Sequence, residues 1–274
     1  MSVVLLIAVI VTALALLATN HLRITPGIGT GCLVRSHSTD VPLTTGQAGL
    51  AATIAGVAWH RSMPTRAVTI AYATALQESG LENLPYGDRD SVGIFQQRPS
   101  QGWGPRRLLL DPVYATTRFF RALAGIPGYR HLLIYKAAQE VQHSADGYAY
   151  AQYAGQGAVM ASGFTGQVPR SVWCWYSRSR HVRHRLIAAR AQLTRAFGHL
   201  SLSSVGDPTA RVRVGRAFVG WSVATWLVTH AAAFGITTVS YDGFRWTTAE
   251  GSRGWRRSDV RSAKTSATLA VLFR

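Results

Sequence analysis

Glu78 stands at the end of a long apolar run, in "ALQESGLENLPYGDRDSVGIFQQRPSQGWG" (residues 75–104), and a loop crowded with Gly, Asp and Gln follows it. A carboxyl half-sheltered by an apolar wall holds its proton to higher pH than one in water. That is the property a general acid needs. The run before Glu78, from Pro64 to Gln77, carries no charge except Arg66, so Glu78 is the carboxyl placed against such a wall. Ser79 beside it would orient the carboxyl or touch a ligand, and Glu82, four residues on, is expected in solvent. Asp88 and Asp90 in the loop either supply a second carboxylate or shape the turn, where Asp is common. Trp103, between Gly102 and Gly104, either stacks on a ligand or closes the core.

The elements that must hold these groups are helical. "TGQAGLAATIAGVAWH" (45–60) puts Leu50, Ile54, Val57 and Ala58 on one face behind a threonine cap. Pro64 opens a second helix, and Gly80 stops it. Further helices are predicted from Asp111-Pro112 to Gly125, over about 134–144 and over about 147–160. Residues 45–162 therefore read as one mainly α domain. Around it lie an N-terminal stretch (1–20), a Pro/Gly-punctuated linker (21–44) and a basic connector with a helix (163–206). A small α+β module (207–274) follows, in which "ITTVSYDGFRW" alternates like a strand and turns at Asp242-Gly243.

Composition sets the class. The chain has 274 residues, 47% hydrophobic and 15% charged, which is globular stock, and a formal charge of +17. Such a charge favours anionic partners, although only Lys136 and Lys264 among the basic residues are not Arg, a bias that fits an Arg-rich codon usage. The uncharged run Val3 to Ala18 fits a signal h-region or a short membrane anchor, so export is expected. Two cysteines, Cys32 and Cys174, then predict one disulfide. No metal site is expected, because His181 and His184 are three apart but the two cysteines are too scattered to join them. No cofactor motif is present either: the glycines of 27–31 follow no strand.

"LQESGL" followed by "GIFQ" resembles the paired signature of the lysozyme-like lytic transglycosylases. "YGDRDSVGIFQQRPSQGWG" resembles the secreted actinobacterial branch of that superfamily, and the likeness covers about residues 45–160. The resemblance implies a lysozyme-like fold for 45–162 and Glu78 as the general acid and base. It implies substrate contacts from Ser79, Gly93, Phe95, Gln96 and Gln97, with Gly93 letting the backbone approach the sugar. The family's Ala-Tyr-Asn-x-Gly motif is missing: "AAQEVQHSADGYAYAQY" has no such Asn, and Gln142, Tyr150 and Tyr153 are the candidates for its place, Tyr150 first. A single acid suits a transglycosylase, since a hydrolase of the usual kinds uses a second carboxylate.

The resemblance thus implies an exported enzyme acting on peptidoglycan glycan strands, with anionic wall polymers as further partners of the basic surface. The rival expectation is a cell-wall glycan-binding protein of the same fold without turnover. Nucleic acid is not an expected partner, because no nucleic-acid-binding fold is recognised. The tail loosely resembles the terminal module of other secreted actinobacterial wall proteins and faintly a peptidase fold stripped of its metal ligands. His230 and Asp242 there read as a core histidine and a turn aspartate.

Overall fold

The computed structural model describes residues 28–36, 39–144, 146–177, 185–258 and 267–274. The apolar N-terminal run and the pair His181 and His184 lie outside them. No helix among the described residues is long and apolar enough to cross a membrane.

Two parts are recognisable: a helical part and an antiparallel sheet with its own helix. The helical part is built on α1 (Thr45–His60) and α2 (Thr65–Ser79). Thr44 caps α1 in a reciprocal box, its hydroxyl accepting from the Gln47 N–H while the Gln47 amide oxygen accepts from the Thr44 N–H. Small residues (Ala48, Ala51, Ala52, Ala55, Ala58) bury α1 almost all round, and this lets neighbours close in on several sides. Those neighbours include α2, α4 (Pro112–Ala124), α7 (Leu186–Phe197) and α8 (Ala217–Thr229). Between them run the single turn α3 (Arg106–Leu109), α5 (Ile134–Gln142), a 3₁₀ turn (Gly147–Tyr153) and α6 (Ala154–Phe164). Asp111 caps α4 as its sequence predicts, accepting from the N–H groups of Val113 and Tyr114, and its other oxygen meets Arg195 of α7.

The stretch 21–44, expected as a linker, carries β1 (Gly31–Val34) and β2 (Val41–Leu43). They pair with β3 (Val172–Trp175) in the order β2-β1-β3, all antiparallel. Cys32 stands opposite Cys174 in that register and is disulfide-bonded to it, as expected. The basic connector 163–206 is likewise not a spacer. It holds β3 and α7, and α7 buries Ala189, Leu193, Ala196 and Phe197 in the common core.

The tail is a six-stranded antiparallel sheet. Its strands are β4 (Ser203–Gly206), β5 (Thr209–Arg213), β6 (Ile236–Tyr241), β7 (Phe244–Thr247), β8 (Arg256–Arg257) and β9 (Thr268–Phe273), in the order β4-β5-β9-β6-β7-β8. Helix α8 lies on one face, followed by the short α9 (Ala231–Phe234). The hairpin at Asp242-Gly243 is as predicted, with Asp242 at φ 51° in the left-handed region. Its core is continuous with that of the helical part. The link runs through β3: Trp246 Nε1 donates to the Cys174 carbonyl and Trp255 Nε1 to that of Val172.

Candidate active site

Glu78 is the penultimate residue of α2 and is half-buried. Gly80, at φ 65°, turns the chain out of the helix, and the Leu81 N–H closes the end on the Ala75 carbonyl at 2.8 Å. The Tyr150 hydroxyl, from the 3₁₀ turn, donates to Glu78 Oε1 at 2.6 Å. Only 1% of Tyr150 is exposed, and burial, with the Glu78 carboxylate beside it, pushes its hydroxyl well above the usual phenol range. It is therefore a fixed donor at neutral pH, and among the described residues no hydrogen bond reaches Oε2. The neighbouring Gln152 Nε2 donates to Gln77 Oε1 at 3.2 Å, so the 3₁₀ turn holds the end of α2 twice.

The loop facing Glu78 turns sharply at 93–96 and presents three successive carbonyls that no helix or sheet satisfies. Each is met by a side-chain donor. Gln96 Nε2 reaches the Gly93 carbonyl at 3.1 Å, Ser79 Oγ the Ile94 carbonyl at 2.7 Å, and Gln142 Nε2 the Phe95 carbonyl at 2.7 Å. Gln96 also reaches the Tyr86 carbonyl at 3.3 Å and accepts from Ser91 Oγ at 3.0 Å. Its amide fills the space that a Cβ on Gly87 would need, 1.7 Å from Oε1. Gly93 sits at φ 81°, and a Cβ there would stand 2.5 Å from the Leu109 carbonyl. What this glycine brings close is therefore α3, and no sugar is needed to explain it.

The expected site residues thus divide. Glu78 and Tyr150 meet directly. Ser79, Gln96 and Gln142 are instead holders of the loop backbone. Phe95 was expected to place a saccharide. It is fully buried and stacked on Phe119 at 4.4 Å between centroids, so its side chain offers a ligand no surface. That stack contributes about 0.5–1.5 kcal/mol beyond area burial. Gln97, 1% exposed, is also turned inward, its amide donating to the Ala115 carbonyl at 3.3 Å. Trp103 is half-buried against the core.

The two loop aspartates differ. The Asp88 side chain is 89% exposed and stands 3.9 Å from Arg89 Nε. Asp90 accepts from the Ser100 N–H at 2.7 Å and from Arg98 Nε at 2.9 Å, and these bonds hold its carboxyl down at about 2. Asp90 organises the turn. Two further loop ties escaped prediction: Gln47 Nε2 to the Gly80 carbonyl at 2.8 Å and Asn83 Nδ2 to that of Leu110 at 2.8 Å. Gln47 was findable, because T-x-x-Q before a helix spells a capping box.

A cavity of about 1040 Å³ lies on the far side of α2's end, lined by Thr44, Gln47, Glu82, Asn83, Arg195 and His230 among others, and not by Glu78 or Tyr150. Most of its polar groups are already engaged with the backbone or with one another. His230 on its wall is half-buried and stacks on Trp226 at 4.1 Å between centroids, with Phe234 beside both rings. Its Nδ1 faces the Trp226 carbonyl at 2.8 Å, so that nitrogen carries the proton. Burial pushes its pKa down to about 4, against that bond. Among the described residues no three His, Cys, Asp or Glu side chains gather as a metal site would require.

No family profile matches the chain, and no curated protein matches it either. What the arrangement can do chemically rests on its own geometry. One carboxyl has one oxygen held by a buried phenol beside a hydrogen-bonded loop, and among the described residues no second carboxylate is bonded to it.

Proposed function

We propose that the chain is an exported muralytic enzyme of the lysozyme-like lytic transglycosylase kind, cutting the MurNAc–GlcNAc bond of peptidoglycan. Residues 45–162 are its lysozyme-like domain in this reading. The observation that carries it is the isolation of the Glu78 carboxyl with the Tyr150 hydroxyl on Oε1. In its protonated form Glu78 then keeps its proton on Oε2, free to pass to the glycosidic oxygen as the C1–O bond breaks. The carboxylate so formed takes the proton of the muramoyl 6-hydroxyl as that oxygen attacks C1, giving a 1,6-anhydro end and restoring the acid. No water enters and no second carboxylate is required, in contrast to the two-carboxylate pattern of hydrolysis. Asp90, tied to Arg98 and Ser100, and Asp88, in open solvent, suit that scheme. The Cys32–Cys174 bond is compatible with export.

The test is mass spectrometry of soluble products from purified peptidoglycan, with the full chain beside Glu78→Gln. Truncation near residue 40 would delete β1 and Cys32, so the complete chain is used. Soluble 1,6-anhydro muropeptides from the parent and a loss of at least about 10³-fold in the variant are expected. Reducing ends would mean hydrolysis. Release by neither protein, with both still bound to the sacculus, would leave a glycan-binding protein instead.

A further inference from the structure

The sheet of the tail covers α8 with one face and leaves the other open. Alternation sends Ala210, Val212, Val239, Tyr241, Trp246, Leu269 and Val271 inward, where all are buried. The registers then fix what stands outside. Arg211 on β5 is opposite Ala270 on β9, Ala270 opposite Ser240 on β6, Ser240 opposite Arg245 on β7, and Arg245 opposite Arg256 on β8. One transverse row therefore crosses five strands, with arginine at both ends and small residues in the middle. Arg213 adds a fourth cation two residues along β5, opposite Thr268.

All four arginines are exposed, and none makes an ion pair or hydrogen bond among the described residues. None of the six strands contains Asp or Glu. At about 4.8 Å per strand, Arg211 and Arg245 stand about 14 Å apart, with Arg213 about 7 Å from Arg211. Between them lies a shallow floor of Ala270, Ser240, Thr238 and Thr268, which offers hydroxyls and no bulk. Four unpaired guanidinium groups around such a floor match an extended chain of anions, each taken up in the forked geometry Arg gives to phosphate.

The remaining chemistry narrows the chain's nature. Among the described residues no aromatic side chain stands on this face, so these strands offer no platform for stacked bases. Leu272, 40% exposed, and Val205 on the edge strand β4, 51% exposed, are the sheet's large exposed apolar groups among the described residues, too few to enter a lipid interface. We propose that this face binds a phosphodiester-linked polyol, a flexible polymer whose phosphates meet the arginines and whose hydroxyls meet the Ser/Thr floor. The proposal goes beyond the glycan chemistry at Glu78 and does not rest on it.

Titration of the full chain with poly(glycerol phosphate), read by calorimetry, tests it. Four displaced counterions predict binding about 50-fold weaker at 200 mM than at 50 mM salt. Arg211→Ser/Arg213→Ser/Arg245→Ser/Arg256→Ser should lose at least about 30-fold at 100 mM salt, with an unchanged melting profile. A control of equal charge, Arg61→Ser/Arg107→Ser/Arg121→Ser/Arg190→Ser, alters exposed arginines of the helical part and should lose less than about 3-fold. Glu78→Gln should bind as the parent does. Equal loss in both quadruple variants would reduce the effect to net charge and overturn the proposal, as would no binding by the parent. A single-stranded oligonucleotide or anionic phosphatidylglycerol vesicles binding as tightly as the polymer would overturn the polyol assignment. Those parent measurements decide the matter even where a variant folds poorly.

Discussion

The loop opposite Glu78 and the seam around β3 are both irregular places held together by polar side chains, yet they do so in opposite ways. At the loop, Ser79, Gln96 and Gln142 each donate to a carbonyl of residues 93–95, so three amphipathic side chains fix one turn. At the seam, indoles and a phenol carry the bonds: Trp246 to Cys174, Trp255 to Val172, and Tyr176 to the Val228 carbonyl at 2.6 Å. Each of those rings brings a large apolar surface with its single donor. At the seam the same rings supply both the core and the hydrogen bonds, whereas at the loop Ile94 and Phe95 supply the core and separate polar side chains hold the backbone. Stability should reside at the first and function at the second.

The largest effect expected at the seam follows from its covalent tie. The disulfide spans 142 residues of chain, and the double variant Cys32→Ser/Cys174→Ser should lose about 4 kcal/mol of unfolding free energy. Urea titration by tryptophan fluorescence and by far-ultraviolet dichroism measures it. One shared transition is expected, because the core runs through both parts. Two separated transitions would break the contrast, since the sheet would then be a module merely attached.

Acid should loosen the seam before the loop. His230 has a folded pKa of about 4 against about 6.5 unfolded, so the unfolded chain binds the extra proton between those values. Its contribution is whole above about pH 6.5 and is lost as pH falls towards 4, by about 3 kcal/mol in all. Asp90 has the same sign in a lower window: its carboxyl is held at about 2, so its support is whole above about pH 4 and lost below. Urea midpoints measured from pH 7 to 4 should fall for the parent and stay flatter for His230→Phe, which keeps the stack. A parallel fall in both would remove His230 from the account.

How far the sequence foretold this contrast depends on the range of each contact. Helix ends were legible because their signals are local: Asp111 before Pro112, Gly80 after Ser79, and T-x-x-Q at Thr44. The strands β1, β2 and β3 were not, being three or four residues long with β1 and β3 joined across some 140 residues of sequence. The cysteines alone hinted at that pairing. At the site, residue type was readable but direction was not. Gly-Ile-Phe-Gln announces a turn, yet nothing local says that Phe95 turns inward onto Phe119 while its carbonyl is taken by Gln142. Tyr150 was reached through the resemblance alone, as the first candidate for the place of the missing motif Asn, and its bond to Glu78 joins residues 72 apart in sequence.

At the loop the expected effects are on turnover. Tyr150→Phe removes the one donor on Oε1 and keeps the buried ring. Release of muropeptides should fall about 10–100-fold, with binding to the sacculus and the urea midpoint nearly unchanged. A loss of stability matching the loss of turnover would make Tyr150 a packing residue.

The smallest effect sharpens the contrast most. Gln142 lies on α5, 47 residues from the carbonyl it holds, and it is half-buried. Gln142→Ala leaves the Phe95 carbonyl without that donor, at a cost of about 1 kcal/mol. Were the loop framed like the seam, that loss would spread over the whole molecule and appear as a lower urea midpoint alone. At the loop each carbonyl has its own side-chain donor: Ser79 and Gln96 grip the neighbouring carbonyls, but Phe95's own has lost its partner. Amide exchange at residues 93–97 should therefore quicken by about fivefold while that of α1 and β9 stays at the parent rate. Turnover should fall with it, because the turn facing Glu78 is then held at two points where three were needed.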